Sequence, residues 1–217
     1  MMTSLFSSFD PSTSISQLNW IMLMTPMIII PMKFWTKKSR LSFMMKNMEK
    51  NMSLEMWNNT KHKEMILISI SMLMLILTNN MISLLPYTFT PTSHPSISIS
   101  LALPMWMALT IYSWTKYTKK MFIHLLPSGT PSPIMPMMII IETTGNIIRP
   151  ISLSIRLTAN MIAGHLLMTL LGNMNQLEKM ILIMPIQIML MMFETAVSII
   201  QAYVFSTLIS LYSSEIP

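Results

Sequence analysis

The chain has 217 residues, 52% of them apolar and only 10% charged, with a mean hydropathy of +0.55. A soluble domain carries about 25% charged residues, so this composition excludes a soluble fold and points to an all-α protein that crosses the lipid bilayer several times. The net charge of +6 does not point to nucleic acid: all Lys and Arg except Arg149, Arg156 and Lys179 lie in residues 33–63 and 116–120, with no polybasic tail or aromatic–basic platform.

The first apolar stretch, 14–32, contains Pro26 and reads as a first span. It has no basic leader and no small-residue cleavage site, so no signal or transit peptide is expected. Residues 41–57 carry Leu41, Met44, Met45, Met48 and Met52 at helical spacing, with Lys46, Asn47, Glu49 and Lys50 elsewhere. This pattern is an amphipathic helix that either lies on the membrane surface or packs on a partner subunit. Residues 65–85 and 97–115 are free of charge and long enough to cross a hydrocarbon core. In the second, Tyr112 and Trp114 lie towards the end, where aromatic side chains anchor at the interface.

Residues 124–136, rich in Pro and containing Gly129, read as a rigid lead-in loop. The two apolar stretches that follow, 134–171 and 180–212, would be roughly 50 Å or longer as helices, against ~30 Å of hydrocarbon. They must tilt steeply, kink or break, and the polar stretch from Gly172 to Lys179 turns them into a hairpin. About five membrane-embedded helices plus one surface helix therefore form a single membrane domain over 1–217. The two basic loops share one side, and the loop over 86–95 between them has no Lys or Arg. By the positive-inside rule the basic loops face the negative compartment and the N-terminus faces away from it.

The most telling residue is Arg156, a permanent cation within a long apolar stretch. An arginine at membrane depth costs about 2.5 kcal/mol or much more, and is normally there for function. Its guanidinium does not release protons, so it can bar protons or hold a carboxylate ionised. On an ideal helix Glu142, Asn146, Arg149, Arg156 and Asn160 fall within about 80° of one another, in a stripe roughly 27 Å long. Such a face meets protein or water rather than lipid. His165 lies about half a turn away from Arg156, facing the second hairpin helix, where Glu194 is the one acidic or basic residue and Gln201 shares its face.

An imidazole and a carboxyl together have the chemistry of a proton relay, although a buried structural pair would look the same. Asn160 and Gln201 fit either channel lining or interhelical hydrogen bonding. Arg149 and Glu142 sit nearer the basic side. His62, His94 and His124 read as loop or interface residues, and the four histidines have no metal-ligand spacing. With no cysteine, neither disulfides nor thiolate sites arise, and no metal or other cofactor is expected. The 29 methionines beside only 4 glycines suggest an A/T-rich genome that reads an extra codon as Met, as in an organelle.

Ser154-Ile-Arg-Leu-Thr-Ala-Asn-Met-Ile-Ala-Gly-His-Leu-Leu-Met-Thr-Leu-Leu-Gly172 closely resembles the signature of the subunit a (subunit 6) family of mitochondrial F-type ATP synthases. So do Phe193-Glu-Thr-Ala-Val-Ser-Ile-Ile-Gln-Ala-Tyr-Val-Phe205 and His124-Leu-Leu-Pro-Ser-Gly-Thr-Pro131, while Met1 to Pro11 and Leu211-Tyr-Ser-Ser-Glu215 look like insect versions. The resemblance implies a static, non-catalytic proton channel beside a rotating ring of c subunits, with a peripheral-stalk b subunit and other small membrane subunits as partners. It implies Arg156 as the gate between two half-channels, His165 and Glu194 as the relay on the intermembrane-space side, and Glu142 as an acid on the matrix side. Asn146, Asn160 and Gln201 would be supporting polar groups. The location implied is the mitochondrial inner membrane, basic loops towards the matrix and N-terminus towards the intermembrane space. The competing reading is a self-contained proton- or ion-coupled carrier, but no inverted repeat or broken helix pair of that kind is visible.

Overall fold

A computed structural model describes residues 6–12, 16–29, 39–60, 63–85, 88–126, 131, 133–174 and 180–214. The architecture is all-helical, with no strand among the described residues. The helices are α1 (Thr25–Ile29), α2 (Arg40–Thr60), α3 (Lys63–Ser83), α4 (Pro95–Lys116), α5 (Thr118–His124), α6 (Met135–Asn173) and α7 (Met180–Ser214). Four of them, α3, α4, α6 and α7, are long and apolar enough to cross a membrane. The expected first span is described only over Leu18–Ile29, where 3₁₀ turns lead into α1; the rest of its expected extent, 14–15 and 30–32, lies outside the described residues, as does His62.

Local chemistry sets the helix ends. Glu64 sits in the first turn of α3, where its charge complements the helix dipole. At the other end of α3 the Thr88 hydroxyl lies 2.7 Å from the Leu85 carbonyl and 3.1 Å from that of Ile82, giving partners to the unpaired carbonyls of a helix end. Pro95 opens α4, its fixed φ suiting a first helical position, and Lys116 sits in the last turn of that helix. Pro136 likewise falls in the first turn of α6, so the proline-rich lead-in ends inside a helix. Gly172 and Asn173, expected in the turn, instead complete α6, and residues 175–179 of that turn lie outside the described residues.

The core joins four helices: Ile76 of α3, Ala102 of α4, Leu153 and Leu157 of α6, and Ala202, Phe205 and Ile209 of α7. Much of the remaining buried surface is Ser and Thr. Their hydroxyls donate to carbonyls of their own helices, as in Ser69 to Ile66 at 2.9 Å, Ser154 to Ile151 at 2.8 Å and Ser206 to Tyr203 at 2.8 Å. Small hydroxyl residues satisfied in this way let helices approach closely where lipid supplies no hydrophobic drive for association. Within this bundle α7 packs more extensively on α3 than on its hairpin neighbour α6, and α6 packs most on α4.

The amphipathic helix α2 also belongs to the bundle, resting on α3 and α7. The face it packs within the chain is only partly the methionine stripe expected to meet lipid or a partner subunit. Met44 and Met48 are exposed, and the face continues instead through Met45 and Met52 to Met56, which is fully buried, and Thr60. Two side-chain contacts reach α7: Asn59 donates to the Ser210 hydroxyl at 3.3 Å, and the Tyr203 hydroxyl donates to Glu55 at 3.3 Å.

Candidate functional site

His165 on α6 and Glu194 on α7 open onto one cavity of about 330 Å³, whose lining includes Asn160, Met161, Gly164, Phe193, Val197 and Ser198. Both groups bring a buried polar atom, His165 Nε2 and Glu194 Oε1, that has no hydrogen-bond partner among the described residues. An unpartnered buried polar atom costs about 1–3 kcal/mol, so these atoms call for water or a shared proton in a space large enough to hold both.

Gly164 makes this arrangement possible. A Cβ there would stand 3.1 Å from the Glu194 carboxyl carbon and 3.2 Å from its Oε1. A glycine inside a helix costs about 1 kcal/mol relative to alanine; here it is the residue that leaves room for the carboxyl. Sequence reasoning did not single out Gly164, although a glycine beside a histidine in mid-helix was the available signal.

Towards the basic side, Asn160 Nδ2 donates to Gln201 Oε1 at 3.0 Å, tying α6 to α7. One turn earlier Arg156 is exposed, with no ion pair or hydrogen bond among the described residues. It occupies an outer face of α6 with Ser152, Ile155 and Ala159. The outer face of α7 is bare too, only 6% of its most apolar stretch being buried.

Beyond Arg156 a second, smaller cavity of about 60 Å³ is lined by Glu142, Asn146 and Arg149 of α6 with Trp106, Ser113 and Tyr212. Arg149 Nη2 lies 3.9 Å from Glu142 Oε1 and its guanidinium stacks 5.3 Å from the centre of the Tyr212 ring. Both charged side chains are about one-third exposed, so the pair contributes at most about 1 kcal/mol. The polar stripe read on an ideal helix is therefore divided among neighbours. Its first three residues meet α4 and the end of α7, Arg156 is uncovered, and Asn160 is bonded to α7. No cluster of three or more metal-ligating side chains occurs among the described residues.

The sequence profile of the family described as ATP synthase A chain matches residues 12–214. The chain belongs to that family. Its curated relatives include "ATP synthase subunit a" of Locusta migratoria and of Drosophila melanogaster, each 46% identical, and of Anopheles quadrimaculatus, 45% identical, all aligned over the full length of both chains. For a member of this family the matched stretch contains both cavities and Arg156, whereas Phe9 precedes it. Phe9 nevertheless touches the larger cavity's histidine, its ring meeting that of His165 edge-on at 6.2 Å between centroids. Phe9, Trp106 and Tyr212 are the site neighbours that sequence reasoning missed. Apolar and aromatic residues carry no motif signal of their own; only the fold brings them to the polar groups.

Proposed function

We propose that the chain is the proton-channel stator subunit of the membrane sector of an F-type ATP synthase in the mitochondrial inner membrane. It performs no catalysis by itself and couples proton flow to ATP synthesis through a neighbouring ring of c subunits. The observation that carries this reading is the disposition along α6: two cavities that each hold titratable side chains lie on opposite sides of Arg156, which is exposed and has no ion pair or hydrogen bond among the described residues.

A proton arriving on the side away from the basic loops enters the larger cavity, where Glu194 and His165 can each take and return it. From there it passes to a carboxylate on the ring, which carries it round. Arg156 faces the ring. Its fixed positive charge keeps a passing carboxylate ionised and so drives the proton off before the carboxylate goes by. The released proton leaves by the smaller cavity, past Asn146 and Glu142, to the matrix. The cation also bars a direct path between the cavities. Moving one charge across 100 mV is worth about 2.3 kcal/mol, so a leak there would dissipate the drive. The Asn160–Gln201 bond supports the lining between gate and relay.

The test is Arg156→Ala in the assembled complex in inner-membrane vesicles. Coupled ATP synthesis is expected to disappear while the complex remains intact on a native gel, with passive proton leak as an added sign. Normal coupled synthesis in an intact complex would remove Arg156 from the gate. The purified chain alone in liposomes is expected to drive no substrate uptake; ion-coupled uptake by it would favour a carrier.

A further inference from the structure

The N-terminal segment is folded back onto His165, a lining residue of the larger cavity. Phe9 closes the 3₁₀ turn Ser7–Phe9, and its ring stands edge-on to His165, 6.2 Å between centroids and 89° between planes. The next carbonyl contacts hold it in place. His94 Nε2 lies 3.0 Å from the Phe9 carbonyl oxygen; a carbonyl only accepts, so this nitrogen carries the hydrogen and donates it. Asn19 Nδ2 donates to the Asp10 carbonyl at 3.2 Å.

His94 is a firm anchor. It is the residue before α4, and its ring is packed 5.2 Å from that of Trp20 and 5.4 Å from that of Phe89, centroid to centroid. Trp20 and Phe89 in turn meet edge-on at 5.4 Å. Next to Phe9, the Ser8 hydroxyl oxygen is buried with no partner among the described residues. His165 has no hydrogen bond at Nε2 to fix its ring; packing must set the direction in which that nitrogen points.

We infer that the segment sets the relay geometry from outside the His165–Glu194 cavity: Phe9 is a positioning residue that orients the His165 imidazole, and His94 is the anchor that holds Phe9 against it. This inference rests on the proposed relay role of His165. Edge-to-face aromatic contact is directional, so the ring constrains where His165 can present its proton without exchanging one itself.

The experiment compares variants in the intact complex in inner-membrane vesicles, reading proton-driven ATP synthesis against the amount of assembled complex. Phe9→Met keeps bulk and apolarity but removes the ring. Its rate should fall by about three- to tenfold, the worth of one directional aromatic contact, with assembly unchanged. Phe9→Tyr should restore the rate to within about twofold of the parent. His94→Ala should act through the same contact, so adding it to Phe9→Met should change little further. A full rate in Phe9→Met, additive losses in the double variant, or failure of every non-aromatic variant to assemble would each overturn the inference. His165→Gln is the control for the underlying reading. A normal rate there removes the relay itself, a result distinct from an impaired His165→Gln beside an unimpaired Phe9→Met.

Discussion

The two cavities along α6 are built on opposite electrostatic plans. On the basic side Glu142 and Arg149 face each other, Tyr212 stacks on the guanidinium, and the space between them holds about 60 Å³. Charge there is answered by charge. On the other side His165 and Glu194 bring buried polar atoms into about 330 Å³ with no protein partner among the described residues. Groups already compensated are poor traffickers of protons, because a proton gained or lost breaks an existing interaction. Groups left open in a space that admits water are ready to exchange. Under the proposed function, the rate is therefore expected to be more sensitive to changes in the larger cavity than to changes at Arg149 in the smaller one.

The largest effect expected from this contrast is at Glu194. Glu194→Gln keeps shape and hydrogen bonding but cannot cycle a proton, so coupled ATP synthesis should fall by about a hundredfold with the amount of complex retained. Unchanged synthesis per assembled complex would take Glu194 out of the path. A middle-sized effect is expected one residue from His165. Gly164→Ala places a Cβ 3.1 Å from the Glu194 carboxyl, forcing a shift of a few tenths of an ångström, and about a fivefold lower rate should follow. The same change favours the helix by about 1 kcal/mol, so thermal stability of the complex should hold or rise. A parallel loss of rate and stability would mean that packing, not the carboxyl's position, is at stake. The smallest effect is expected in the compensated cavity. Arg149→Lys keeps the charge and most of the reach towards Glu142 and Tyr212, and should alter coupled synthesis by less than about twofold. A tenfold loss there would erase the contrast between the two cavities.

Sequence reasoning could see Arg156 and two pieces of the larger cavity because each broke a strong local rule. Arg156, His165 and Glu194 are ionisable groups in stretches where lipid tolerates almost none. The Asn160–Gln201 contact was visible only as an open choice between lining and interhelical bonding; the 3.0 Å distance shows that the two meet. The face that α2 packs within the chain was not legible, because Met44, Met45 and Met48 look alike to a periodicity argument. Asn59 and Glu55, which reach α7, lie one heptad beyond Met52 and Met48 on the face of that pattern, but as polar residues they add nothing to an apolar periodicity.

By itself the sequence determined the all-helical membrane fold, since an unbroken apolar run can satisfy its backbone in lipid only as a helix. It also placed the permanent cation, His165 and Glu194 in the last two helices. Tertiary structure alone decided which neighbours those groups have: Gly164 against the Glu194 carboxyl, Phe9 against His165, and Tyr212 over Arg149. Such contacts join residues far apart in the chain or on different helices. They depend on the rotation and closeness of packed helices, which the 3.6-residue period of a single helix does not encode.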